Sequence, residues 1–123
     1  MNLDAKKTLD KWIDLVTSQD LKSVVNLYAK DAVLLGTFAN KLSLTTDEIE
    51  SYFIHFFKKK PKASFSDFHC VSLNKDSAVF NGNYIFNIED GSSVNARFTF
   101  VLKKYENWKI ITHHSSIKPL SIS

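Results

Sequence analysis

The chain has 123 residues and a formal net charge of +3, a size that suits one domain with a single modest core. Ten phenylalanines enrich that core, while three glycines and two prolines leave little room for long loops. The mild charge, with Arg97 as the only arginine, speaks against a nucleic-acid partner, and no window is apolar enough to span a membrane.

The first half reads as helical. Leu3, Leu9, Trp12, Ile13, Leu15 and Val16 follow helical spacing along one face. Ser18-Gln19-Asp20 interrupts the pattern, and a second helix capped by Ser18 or Asp20 carries Leu21, Val24, Val25, Leu27 and Tyr28. Ala32 to Leu35 is a short β-like run that ends at Gly36-Thr37. Thr45 and Glu48 stand at capping-box spacing. They open a third helix through Ile49, Tyr52, Phe53, Phe56 and Phe57, which stops before Pro61. Lys58-Lys59-Lys60 then reads as a solvated helix end, where cations complement the helix dipole.

The second half reads as strands. Ser64 to Ser72 alternates loosely. Ala78 to Ile88 puts Ala78, Phe80, Gly82, Tyr84, Phe86 and Ile88 on one face and Asn81, Asn83 and Asn87 on the other. Asp90-Gly91 signals a hairpin, and Val94 to Lys104 returns with Val94, Ala96, Phe98, Phe100 and Leu102 on one face. After a turn at Glu106-Asn107, the last strand runs from Trp108 to Ser116. Helices followed by an antiparallel meander predict an α+β class, with helices on one face of a strongly curved sheet. Such a sheet forms a cone whose mouth is a natural ligand pocket.

The last strand holds the densest chemistry. His113, His114, Ser115 and Ser116 are consecutive, and half of the four histidines sit there. Strict alternation sorts Ile110, Thr112, His114 and Ser116 to one face and Ile111, His113 and Ser115 to the other. Each histidine therefore shares a face with a serine, and alternation alone leaves open which pair looks inward. The two histidines cannot ligate one metal together without a bulge. No HExxH, paired-cysteine or GxSxG motif is present. Cys70 is alone and forms no intramolecular disulfide; with His69 it reads as strand structure, and His55 on the third helix shares a solvent face with Ser51. A reducing cytoplasmic setting follows as the expectation. Arg97, in mid-strand beside Asn95 and Thr99, either pairs a carboxylate or receives an anion. Tyr52 is either a core aromatic or a phenol reaching into the cone, and Thr37 is either a turn residue or a pocket hydroxyl.

Gly36-Thr37-Phe38-Ala39-Asn40, Ile49-Glu50-Ser51-Tyr52-Phe53 with Phe56 and Pro61, Ala96-Arg97-Phe98-Thr99-Phe100-Val101, and His113-His114-Ser115-Ser116 with Pro119 share order and spacing with a known group. The chain resembles the association-domain-like group of calcium/calmodulin-dependent kinase II, within the nuclear transport factor two-like superfamily, over nearly its whole length. Within that group it is most similar to the iota-class carbonic anhydrases. The resemblance implies one cone-shaped domain over residues 1–123, a homodimer through the open sheet face, and reversible hydration of carbon dioxide to bicarbonate. It implies no cofactor, since several members work without metal, although others have been linked to zinc or manganese. The catalytic groups it implies are Thr37, Tyr52, the His113-His114 pair and Ser115 or Ser116, with Thr37, Tyr52 and Ser115 against the substrate; Arg97, in its anion-receiving reading, is expected to join them there.

Two departures are visible. Ser115 stands where the kinase domain has an arginine, and Gly36 stands where many iota-class members have proline. For hydration, the hydroxyls would hold water and bicarbonate oxygens, and a histidine near pKa ~6.5 would carry the proton outward. Tyr52 could act as a base only if its pKa of roughly 10 were strongly depressed. The alternatives are a non-catalytic ligand-binding or homo-oligomerisation module, and a polyketide-cyclase-like enzyme for a small hydrophobic substrate.

Overall fold

The computed structural model describes residues 1–120. Three helices come first or early: α1 (Leu3–Thr17), α2 (Leu21–Asn26) and, after the first strand, α3 (Thr46–Phe57). Five strands, β1 (Tyr28–Leu35), β2 (Lys62–Asn74), β3 (Ser77–Asn87), β4 (Ser93–Lys104) and β5 (Trp108–Ile117), form one sheet in the order β1-β5-β4-β3-β2. The sheet is mixed: β2 to β5 form the expected antiparallel meander, but β1 joins β5 in parallel. Among the described residues, no helix is long and apolar enough to cross a membrane.

Local sequence explains the helix ends. Asn2 caps α1 by accepting from the Ala5 amide, and Asp20 caps α2 by accepting from the Ser23 amide. The Thr45 hydroxyl accepts from the Glu48 amide at 3.1 Å, while the Glu48 carboxylate accepts from the Leu44 amide at 2.9 Å. The first bond satisfies an amide that a helix start leaves free, and the second ties the residue before the cap to the first turn. The expected run of α2 through Tyr28 is corrected. The helix ends at Asn26, and Tyr28 opens β1 opposite Ile110. Pairing with the sheet outweighs the helical spacing of a short segment.

The helices bury Leu9, Trp12, Val16, Val24, Ile49, Phe53 and Phe56 against the inner residues of β3 and β4, which are Ala78, Phe80, Tyr84, Phe86, Ala96, Phe98, Phe100 and Leu102. Two irregularities bend the sheet. In β2, Phe65 faces Tyr84 and Asp67 faces Asn83, so Ser66 is an extra residue that curves the strand. Gly82 accommodates this bend, because a Cβ there would stand 2.2 Å from the Asp67 carbonyl oxygen. In β5, Thr112 faces Val101 while Ile110 faces Leu102, so Ile111 is the extra residue.

Candidate active site

The Ile111 bulge decides the site. It reverses the alternation midway along β5, so Trp108 and Ile110 point inward and are followed on the same face by His113 and Ser115. The strict alternation expected from sequence, which grouped Ile110 with His114, is therefore corrected. His113 is 2% exposed and Ser115 is 4% exposed, whereas His114 faces solvent.

A polar chain threads the aromatic core from His113 in both directions. On one side Trp12 Nε1 donates to Tyr28 Oη at 3.0 Å, and Tyr28 Oη lies 2.7 Å from His113 Nδ1. On the other side His113 Nε2 lies 3.1 Å from Tyr84 Oη. Tyr84 Oη bonds to Ser115 Oγ, and Ser115 Oγ bonds to Thr37 Oγ1. Packing fixes the rings: the imidazole stacks on Phe100 at a centroid distance of 3.8 Å, and Trp12 stacks on Tyr84 at 5.5 Å. Among the described residues, no buried side-chain nitrogen or oxygen lacks a partner. A buried polar network is stabilising only when satisfied in this way.

The parallel β1/β5 pair delivers Thr37. Leu34 faces His113 and Leu35 faces His114, so the chain leaving β1 meets Ser115 directly. The loop that follows is pinned where the Leu34 and Ser43 backbones bond to one another at 2.8 and 3.0 Å. Thr37 is half-buried. Tyr52, from α3, lies across Gly36 so closely that a Cβ on Gly36 would stand 2.2 Å from the phenol ring. Glycine at this position is thus what lets the Tyr52 hydroxyl reach residue 37.

Burial sets the electrostatics. His113 is driven down to about 3 by desolvation first and by the neighbouring His114 charge second. It is therefore neutral at physiological pH, and the expected proton carrier near pKa ~6.5 is not His113. Tyr52 is pushed up to about 12 by desolvation, which the Phe38 and Thr37 backbone amides facing its oxygen offset only in part. Tyr28 and Tyr84 are also raised, again by burial. The phenols are therefore neutral donors, and none has the depressed pKa that a base would need.

The sheet brings Thr37, Tyr52, His113 and Ser115 together. It places His114, Ser116 and Arg97 on the opposite, outer face, where Arg97 faces Ser116 and Asn83 across the strands and is exposed. Trp12, Tyr28 and Tyr84 complete the chain and were not legible as site residues. The available signal was chemical, since a buried Trp or Tyr needs a partner for its N–H or O–H.

A transition metal does not fit this arrangement. Both His113 nitrogens are engaged by tyrosines. Among the described residues no three His, Cys, Asp or Glu side chains converge. A wide open groove of about 1120 Å³ lies elsewhere, between α2, β1 and the start of α3, and meets the polar chain only at Tyr28.

Comparison with known proteins agrees with this architecture. Residues 2–119 match the family model of the calcium/calmodulin dependent protein kinase II association domain. A Xanthomonas campestris structure assigned to that association domain is 39% identical, with a TM-score of 0.86 over 92% of this chain and 84% of that one. An NTF2-like protein of unknown function from Pseudomonas putida shares the fold at 13% identity and TM-score 0.84, over 98% of this chain and 88% of that one. A ketosteroid isomerase-like protein from Erwinia carotovora does so at 15% identity and TM-score 0.79, over 97% of both chains. No curated protein matches the sequence. The chain belongs to the calcium/calmodulin dependent protein kinase II association domain family and has the NTF2-like fold.

Proposed function

We propose that this protein reversibly hydrates carbon dioxide without a metal, in the manner of the iota-class carbonic anhydrases it resembles. The observation that carries the reading is the half-buried Thr37 hydroxyl at the end of a satisfied, buried hydrogen-bond chain, with the neutral Tyr52 phenol lying across Gly36 beside it. In hydration, the oxygen of water or hydroxide forms a bond to the carbon of carbon dioxide. One C=O π pair moves onto an oxygen, which becomes the bicarbonate oxyanion. Hydroxyls aimed at that oxygen stabilise charge as it develops. Thr37 and Tyr52 are assigned that role, with Ser115 holding Thr37. When water is the nucleophile its proton leaves to solvent or buffer, because His113 is too weak a base to keep it. Hydration should therefore quicken as hydroxide rises, with no inflection from His113 near neutrality.

The core favours a small substrate over a polyketide-sized one. Phe53, Phe56, Phe86 and Phe100 are each at most 2% exposed and fill the interior that a larger ligand would occupy. Stopped-flow hydration of carbon dioxide, before and after exhaustive chelation, tests the reading. Equal activity in both states supports it. Activity that chelation abolishes and one metal restores would overturn the metal-free mechanism, and inactivity in both states would overturn the assignment.

A second reading, an assembly module, rests on the outer sheet face. Val33, Thr112, Val101, Val79 and Val71 form a row across all five strands, and Val71 is 44% exposed with Leu73 beyond it 59% exposed. We assign this face to a second copy of the chain, forming a homodimer. Val71→Glu should convert the dimer to monomer in sedimentation equilibrium; a wild-type monomer would contradict the assignment. The two readings are compatible, since His113 and Ser115, to which Thr37 is bonded, point to the other side of the sheet.

A further inference from the structure

We infer that Arg97 forms an ion pair with the partner's Asp67 in the homodimer, and Asp67 with the partner's Arg97, so that a two-fold axis along β3 sets how the two sheets meet. The inference rests on the assignment of the outer sheet face to a second copy, and it names the residues that choose the register of that contact.

The sequence of the strands isolates this pair. Across β2, β3, β4 and β5, Asp67 is the only acidic residue and Arg97 the only arginine. The lysines of these strands, Lys62, Lys103, Lys104 and Lys109, all stand within two residues of a strand end. Asp67 and Arg97 instead lie in mid-strand, and both are exposed.

They also occupy one row. Asp67 faces Asn83, Asn83 faces Arg97, and Arg97 faces Ser116. One strand separates the opposite charges, so their backbones are about 10 Å apart, two strand spacings. Among the described residues, neither belongs to an ion pair. Asn83 Nδ2 donates to Asp67 Oδ1 at 2.8 Å, which orients the carboxylate and leaves Oδ2 for another donor. The planar fork of a guanidinium matches that need.

A second copy supplies both partners. In a two-fold interface, a residue that meets another is met by it in return. An axis along β3 lays β2 of one copy over β4 of the other, so the pair forms twice. The same axis lays the exposed Val71 on the partner's Val101, because Val71, Val79 and Val101 form a row parallel to the charged one. It also keeps the strands of the two sheets nearly aligned, as face-to-face packing favours. In the row between, the Thr99 hydroxyl donates to Asn81 Oδ1 at 2.7 Å, so those polar groups are already paired within the chain.

An exposed ion pair adds little stability by itself. Its contribution here is selection among registers. An axis between β3 and β4 would cover Arg97 with the partner's Asn83 and leave both charges without a counter-ion. An axis along β4 would set the two Arg97 side chains against each other.

The test is sedimentation equilibrium of the full chain as wild type, as Arg97→Glu, as Asp67→Arg, and as an equal mixture of the two variants. Each variant alone opposes like charges at both pairs, so its dimer dissociation constant should rise about a hundredfold. In the mixture, the introduced glutamate of one copy meets the introduced arginine of the other, and the native Asp67 and Arg97 meet as before. Dimer should therefore return in the mixture, which misfolded variants could not achieve. A variant that dimerises as tightly as wild type, or a mixture that stays monomeric, would overturn this inference while leaving the dimer in place. A monomeric wild type would overturn the dimer itself and the pairing with it.

Discussion

His113 and His114 are neighbours in the chain and opposites in environment. His113 is stacked on Phe100, bonded to two tyrosines and excluded from water; His114 stands on the outer face in register with Thr99 and Leu35. The same contrast separates the two faces of the sheet. The inner face converts polar groups into a fixed network because burial makes every unsatisfied atom costly. The outer face holds comparable groups, among them His69, Asn81, Thr99 and Arg97, in contact with water, where a missing partner costs little. A residue's type therefore says less about its role than the side of the pleat it occupies.

The largest effect should come from breaking the inner network at its centre. His113→Ala removes a stacked ring and strands the Tyr28 and Tyr84 hydroxyls, and should cost about 3–5 kcal/mol in urea unfolding. His114→Ala should change stability by no more than about 0.5 kcal/mol in the same assay. Comparable losses in the two variants would refute the division between the faces.

Acid should reproduce the first result more gradually. His113 has its folded pKa depressed to about 3, below its ordinary value near 6.5, so between those values the unfolded chain binds more protons. Its contribution is complete above about pH 6.5 and is lost as pH falls toward 3, with a slope of up to about 1.4 kcal/mol per pH unit. The acid slope should be shallower in a folded His113→Gln variant, and an identical slope would show that another group governs acid stability.

Smaller effects sharpen the picture. Tyr28→Phe leaves the Trp12 N–H without its acceptor and should cost about 1–3 kcal/mol with little change in volume. Gly36→Ala forces Tyr52 away from residue 37, so activity should fall more than stability, which should drop by about 1–3 kcal/mol. Arg97→Ala, on the outer face, should leave hydration at the wild-type rate.

Much of the fold was legible. The capping pair Thr45 and Glu48, the stop before Pro61 and the inward faces of β3 and β4 all follow from local spacing and turn chemistry, and each stands where expected. What escaped was non-local. Tyr28 belongs to a strand only because β5 lies beside it in parallel, and no local periodicity encodes that neighbour. The Ile111 bulge is invisible in a run of β-branched residues, yet it sets which histidine enters the core. Family likeness pointed to Thr37, Tyr52, His113 and Ser115, which the fold brings together, and equally to His114 and Ser116, which stand on the outer face. Trp12 and Tyr84 read as core aromatics, and so they are, with polar atoms that also carry the network.

The central claim is that the inward chain ending at Thr37, and not the outward histidine, supports carbon dioxide chemistry. The most direct measurement is stopped-flow hydration by metal-depleted wild type, Thr37→Val and His114→Ala at matched concentration, with unfolding curves confirming that all three are folded. The account predicts full activity in wild type and His114→Ala and background rates in Thr37→Val. Wild-type activity in Thr37→Val, or its loss in His114→Ala alone, would contradict it.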